Sequence, residues 1–402
     1  MSTKKIYSEL IDYIKNQYTI NTHCHHLPGE EFIDYNLEKL INKSYVSWCG
    51  VSFDETRESK AHFLSKVRYR SYFVWLQKAL QELYHFHEPL TVDNWSFVSD
   101  KLQAAHRDPQ RHIEVLQDIC KYKKVVLDAY WSPGSNNDLP SLFAPTFRIN
   151  MFLYSYNSSV QDHNGNNALI MYDKNIDSLE EYVAFMKEVI IQKKKEGCVA
   201  LKSALAYDRD LDFRETPKEK AQKIFKRSNH SISAEEIRDF QNYIFFEICT
   251  VASELSVPFQ CHTGLGELDR TNAQQLREAI VKNPDTKFVL FHGSYPWTDD
   301  IAGLLHNYSN AYADICWLPI ISQSAATRLL HELIEVGTLD KITWGCDTWS
   351  SEESFGALLA LRHVLATVLS EKIASGYLNM KDACLIIDHI LYKNASELYK
   401  VS

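Results

Sequence analysis

The sequence predicts an α/β fold: a (β/α)8 TIM barrel with helical insertions after its first and fourth strands. Three observations lead there. Eight short segments are rich in Val, Ile, Leu, Phe and Tyr, helical periodicity fills most intervals between them, and 402 residues suffice to bury a barrel-sized core. Strands alternating with helices imply parallel βαβ units, and eight such units imply a closed barrel.

The strands are read in order at Tyr18–His23, Lys124–Tyr130, Phe147–Leu153, Cys198–Ser203, Val257–His262, Lys287–His292, Asn310–Ile315 and Lys341–Asp347. Stretches such as SLEEYVAFMKEVIIQKKKEG and NAQQLREAIVKNP carry the helical period. A long helical stretch follows the first strand, an insertion at about residues 30–115, and a highly charged one follows the fourth, at about 208–239. Loops after barrel strands lie on the face where active sites are built. Both insertions are therefore expected as lids or substrate walls, with packing helices or an oligomer contact as the plainer alternative. Without repeats or Pro/Gly-rich linkers, residues 1–402 read as a single domain.

Hydrophobic content of 45% and charged content of 24% are those of a soluble globular chain. A net charge of −9, with no long basic run, argues against nucleic-acid binding. No apolar run reaches the ~20 residues that span a bilayer. The start, MSTKKIYSELIDYIKNQ, lacks a signal-like apolar region, and nine scattered cysteines without CxxC spacing suit reduced thiols. The expected location is the cytoplasm and the expected partner a small-molecule substrate; a homo-oligomer is left open.

The chemistry starts at Asn21-Thr22-His23-Cys24-His25-His26. In a strand, His23 and His25 point to one side, and two neutral imidazoles there begin a zinc- or manganese-type site. A second His-x-His, His85 and His87, lies in a helical stretch, where i and i+2 face apart, and reads as structural. His262 and His292 each close an apolar strand at a glycine-containing turn. Each alone would more often be a packed residue; together they favour metal ligation at the barrel rim. Asp347 could cap the following helix. At the end of the eighth strand, beside His23 and His25, it is better placed to bind a metal and accept a proton. Lys202, late in an apolar strand, either reaches out to the barrel mouth or is held as a neutral amine. A neutral amine can add CO2 and become an anionic carbamate that bridges two metals.

With these residues in place, the chain resembles the amidohydrolase superfamily. It is most similar to the amidohydrolase-related group that includes the domain fused to glutamine-synthetase-like proteins. LKSALAYDRDL, PFQCHTGLGELD, FVLFHGSYPW and ILYKNASELY carry the likeness. The resemblance implies a metal-dependent hydrolase with His23, His25, Lys202, His262, His292 and Asp347 as ligands. One metal would take the first pair and Asp347, the second would take His262 and His292, and carboxylated Lys202 would bridge them. Asp347 would also shuttle protons. In one-metal relatives without the lysine bridge, such as decarboxylases and uronate isomerases, the sixth-strand histidine, here His292, is free for catalysis.

The expected reaction is hydrolysis of an amide C–N or a C–O bond in a small polar metabolite, by water activated at a two-metal centre. Zinc is the expected ion, with manganese, iron or nickel as alternatives. A one-metal decarboxylase or isomerase, and a catalytically dead barrel acting as a binding module, are the competing readings. Tyr207 and Arg209 are expected at the barrel mouth as substrate contacts, and Trp297 and Trp317 as walls of an apolar pocket. For all four, ordinary loop packing is the plainer reading.

Overall fold

The computed structural model describes residues 2–226 and 232–402. Eight parallel strands follow one another around a barrel in chain order. They are β1 Thr19–Cys24, β2 Tyr122–Leu127, β3 Phe143–Arg148, β4 Ala200–Ser203, β5 Phe259–Cys261, β6 Phe288–Phe291, β7 Ala311–Asp314 and β8 Ile342–Thr343. Every residue of β1, β3, β4 and β6 is buried. A parallel strand covered on both faces reads as one continuous apolar run, which is why these segments stand out in the sequence.

One strand corrects the sequence reading. β3 begins at Phe143, and most of the expected segment Phe147–Leu153 is instead a short helix, Asn150–Tyr154. Pro145 lies inside the true strand, beside Leu127 of β2, where the lack of an N–H masks the strand signal.

The barrel closes through the segment after β8. Thr22 N donates to Trp344 O at 3.1 Å, Asp347 N to His23 O at 2.9 Å and His25 N to Thr348 O at 2.9 Å. This approach requires glycine at 345, where a Cβ would come within 2.6 Å of His23 N. Inside the barrel, Asp314 of β7 accepts from Thr22 at 2.5 Å and Thr343 at 2.9 Å, tying β1, β7 and β8 together.

The outer helices follow from their apolar stripes. Helix Leu179–Lys195 buries Leu179, Tyr182, Phe185, Met186, Val189 and Ile190, the three-and-four spacing of a single face. Ser178 caps it by accepting from Glu181 N, and Glu180 and Glu181 at one end and Lys193–Lys195 at the other complement its dipole. Each large apolar side chain on that stripe stabilises the fold by roughly 1.5–3 kcal/mol, so Ile190→Asp would detach the helix.

The first insertion is helical, with Arg57–Val67, Ser71–Tyr84 and Trp95–Ala105 its longest helices. Two buried acids at the start of helix Ser351–Ala374 pin it to the barrel. Glu352 accepts from Tyr84 Oη at 2.6 Å and pairs with His106 Nε2 at 2.7 Å, and Glu353 accepts from Tyr45 N at 2.7 Å. His85 and His87 are not within a helix, as the sequence suggested: the helix ends at Tyr84, His85 caps it at φ 54°, and both histidines are exposed.

The second insertion also ends earlier than expected, because helix Ala234–Glu254 begins within it, started by a capping box of Ser233 and Glu236. Residues 227–231 of that stretch lie outside the described residues. Among the described residues, no helix is long and apolar enough to cross a membrane.

Candidate metal centre

The residues predicted as ligands arrive at one rim from five strands. His23 lies in β1 and Lys202 in β4; His262 and His292 directly follow β5 and β6. Asp347 is four residues past β8, held there by its backbone bond to His23. All of these side chains are buried. His292 and Asp347 adopt φ of 65° and 60°. This left-handed conformation costs non-glycine residues about 1–3 kcal/mol and persists where surrounding structure imposes it, often at functional sites.

The hydrogen bonds fix which imidazole nitrogens carry protons. His25 Nδ1 lies 2.8 Å from the carbonyl of Asp128, which can only accept, so Nδ1 donates and Nε2 is the nitrogen turned into the cluster. That Nε2 faces Asp347 Oδ1 at 3.1 Å, and His23 Nε2 lies 3.2 Å from the same oxygen. The second pair repeats the pattern. His262 Nε2 donates to Leu265 O at 2.5 Å and His292 Nδ1 to Cys316 O at 3.1 Å. The remaining nitrogens, His262 Nδ1 and His292 Nε2, then face each other at 2.9 Å, lone pair to lone pair. Burial favours the neutral form of three of the rings: His23 is pushed down to about 3, His292 to about 4, and His262 well below its ordinary value.

His25, His262 and His292, each held by a carbonyl behind the ring, together with His23 and Asp347, fit the donor set of a divalent cation site. Lys202 lies beside His23, its Nζ 3.5 Å from His23 Nε2 and 3.9 Å from the Phe291 ring centroid. Burial lowers its pKa, favouring the neutral amine. The residues present thus fit a metal centre.

Above this cluster opens a cavity of about 220 Å³. Tyr207 lines it, as expected. The other three predicted substrate contacts do not. The Arg209 guanidinium is turned away, bound to Gln241, Asn242 and the backbone of Asp210 and Asp212. Trp297 is 37% exposed outside the cavity. Trp317 is buried behind the wall, stacked on Tyr45 at 4.6 Å. The first insertion does supply wall residues, Tyr45 and Trp48; none of residues 208–224 of the second lines the cavity.

Sequence reasoning missed Trp349, packed beside Tyr45, and the wall made by Tyr130, Arg148, His163 and Asn164. Arg148, the last residue of β3, sits beside Lys202 in register and forms a buried pair with Asp128, Nη2 to Oδ2 at 2.5 Å. Asp128 lies 4.0 Å from His23 Nε2. A charged residue at a strand's C-terminal end was the available signal, and both residues carried it inside segments already read as strands.

Comparison with known proteins agrees with this geometry. A family model described as Amidohydrolase matches residues 210–401, the part that holds His262, His292 and Asp347. Protein fluG of Emericella nidulans is 26% identical over 222 residues, 51% of this chain and 26% of that protein, so the chain spans about a quarter of its relative's length. Among solved structures, uronate isomerase from Thermotoga maritima superposes with a TM-score of 0.78 at 16% identity, over 98% of this chain and 97% of that one. A protein assigned as a metal-dependent hydrolase from Lactobacillus casei gives 0.72 at 17% identity, over 97% of each chain. At such identities the likeness is one of fold. The family match places the likeness to amidohydrolases in residues 210–401, and the whole chain shares the barrel fold of the two solved structures.

Proposed function

We propose that this chain is a metal-dependent hydrolase with a two-metal centre that cleaves an amide or other C–N or C–O bond of a small polar metabolite. The observation that carries this reading is the pair of opposed acceptors, His25 Nε2 against Asp347 Oδ1 and His262 Nδ1 against His292 Nε2. The two imidazole lone pairs of His262 and His292, 2.9 Å apart, repel unless a cation lies between them, and His23 and His25 converge on one oxygen of the Asp347 carboxylate as ligands of a second ion would.

His23, His25 and Asp347 would hold one divalent ion, zinc by the imidazole-rich donor set, and His262 and His292 the other. Bound there, the ions would supply Lewis acidity and lower the pKa of water towards ~7. Lys202, neutral through burial, would add CO2 at Nζ, releasing a proton and forming a carbamate between the two sites. Asp347 would take the proton of the attacking water on Oδ2, the oxygen turned from His25 towards His292, and return it to the leaving group. The carbonyls of Asp128, Leu265 and Cys316 lock the tautomers, so no imidazole need reorient during the reaction. Tyr45, Trp48 and Trp349 would exclude water from one side of a cavity sized for a small metabolite.

The likeness in fold to uronate isomerases supports a second reading, a one-metal enzyme in which Lys202 is no ligand. Metal analysis of protein purified without chelators separates the two. The hydrolase should carry about two ions per chain and Lys202→Ala should lose at least one, whereas the one-metal enzyme should keep its single ion. Protein that binds no transition metal at neutral pH would be neither, and would be a binding module.

A further inference from the structure

Of the imidazoles that line the cavity among the described residues, His163 alone lies outside the proposed ligand set. It is carried by a loop after β3, and three hydrogen bonds fix its place. His163 Nδ1 is 2.7 Å from Asp208 Oδ2, His163 N donates to Asp208 Oδ1 at 2.8 Å, and Asn150 Nδ2 donates to Asp208 Oδ2 at 2.7 Å. Asn150 is fully buried and also accepts from Ala204 N, just past β4, at 2.9 Å. The dyad is therefore tied to the barrel frame. The turn beneath it is closed by Asp162, whose Oδ1 accepts from the backbone N–H groups of Asn164 and Asn166, both at 2.9 Å.

His163 Nε2 meets Arg148 Nη1 at 3.5 Å. That separation is too long for a strong hydrogen bond between them. It leaves the two nitrogens side by side on the cavity wall, spaced for one carboxylate to seat against both, with Asp208 holding the ring from behind. Arg148 Nη1 spends one N–H on Asn164 Oδ1 at 2.6 Å and retains another, while Nε and Nη2 are bound to Asp128. Asp128 fixes the guanidinium from behind, and the cavity sees its outer edge.

We propose that Arg148 Nη1 and His163 Nε2, the latter oriented by Asp208, form a carboxylate-recognition subsite that selects substrates bearing a carboxylate a few atoms from the scissile bond. The distance is set by Asp128, whose Oδ2 is 2.5 Å from Arg148 Nη2 and 4.0 Å from His23 Nε2. The subsite rests on the proposed reaction centre for the position of the substrate's other end, but it can be tested by binding without turnover.

The experiment is calorimetric titration of the metal-loaded full chain with acetate and with succinate. Acetate, one carboxylate, can occupy only one of the two ends; succinate can bridge the metal centre and the subsite. Wild type should bind succinate at least tenfold more tightly than acetate. His163→Gln and Asp208→Asn should each lower that ratio fivefold or more, the loss of a charge-assisted hydrogen bond, with metal content unchanged. A ratio near one in wild type, or a drop of less than fivefold in His163→Gln, would overturn the subsite. Neither result bears on hydrolysis, whose own test is the metal count and the Asp347 variant.

Discussion

The ligand cluster and the wall formed by Arg148, His163 and Asn164 face each other across a small cavity, yet they are held in opposite ways. In the cluster, backbone carbonyls lock the imidazoles so that acceptors oppose acceptors, and two of its residues sit in strained backbone conformations. In the wall, opposite partners are joined: the Arg148 guanidinium lies on the Asp128 carboxylate, and His163 is hydrogen-bonded to Asp208. The first arrangement leaves acceptors that a cation would join; the second is held together by its own hydrogen bonds. Substitutions in the cluster should therefore cost activity, and substitutions in the wall should cost stability as well as affinity.

The largest effect is expected in the cluster. Asp347→Asn should lower turnover by about a thousandfold, the scale of a lost proton-transfer group, while melting of the metal-free protein falls little or rises. A melting temperature that collapses along with activity would erase the contrast between the halves. In the wall, Arg148→Met should destabilise by about 3–5 kcal/mol in chemical denaturation, because Asp128 is left as an unpaired buried charge. Adding Asp128→Asn to that variant should restore a good part of the loss, a coupling that a double-mutant cycle measures directly.

How far the sequence could be read follows the same divide. Donors at strand ends announce themselves: His262 and His292 each close an apolar run at a glycine turn, and His23 and His25 alternate across the end of β1. The wall has no comparable signature. Asp128 and Arg148 lie inside apolar runs as an unremarkable pair of opposite charges, and only the register between β2, β3 and β4 joins them and brings Arg148 to the cavity. His163 sits in a polar loop with no period to follow. Arg209 shows the converse: close to Lys202 in sequence, it is carried past the cavity by the turn at Leu205–Tyr207 and spent on Gln241 and Asn242. Proline hid the start of β3, since Pro145 breaks the pattern that its neighbours make.

A pH effect sharpens the comparison at the junction of barrel and insertion. Burial raises the Glu353 carboxyl from its ordinary 4.5 to about 8, so the folded chain holds a proton there that the unfolded chain releases. That contribution is complete below pH 4.5 and is lost as pH rises through about 8. Between pH 5 and 8.5 the wild type should lose stability on the order of a few kcal/mol that Glu353→Gln does not, as paired thermal melts would show. A variant with the wild-type pH profile would remove Glu353 from the account. The smallest effect is reserved for the residue the sequence favoured: Arg209→Ala should leave the affinity for a carboxylate ligand within about twofold of wild type while lowering the melting temperature, through the lost side-chain hydrogen bonds.

Anomalous scattering from crystals of protein purified without chelators tests the central claim most directly. Two peaks should lie at the barrel rim, one among His23, His25 and Asp347 and the other between His262 and His292, with continuous density joining Lys202 Nζ to both. Well-ordered side chains with no peak in either place would contradict the account.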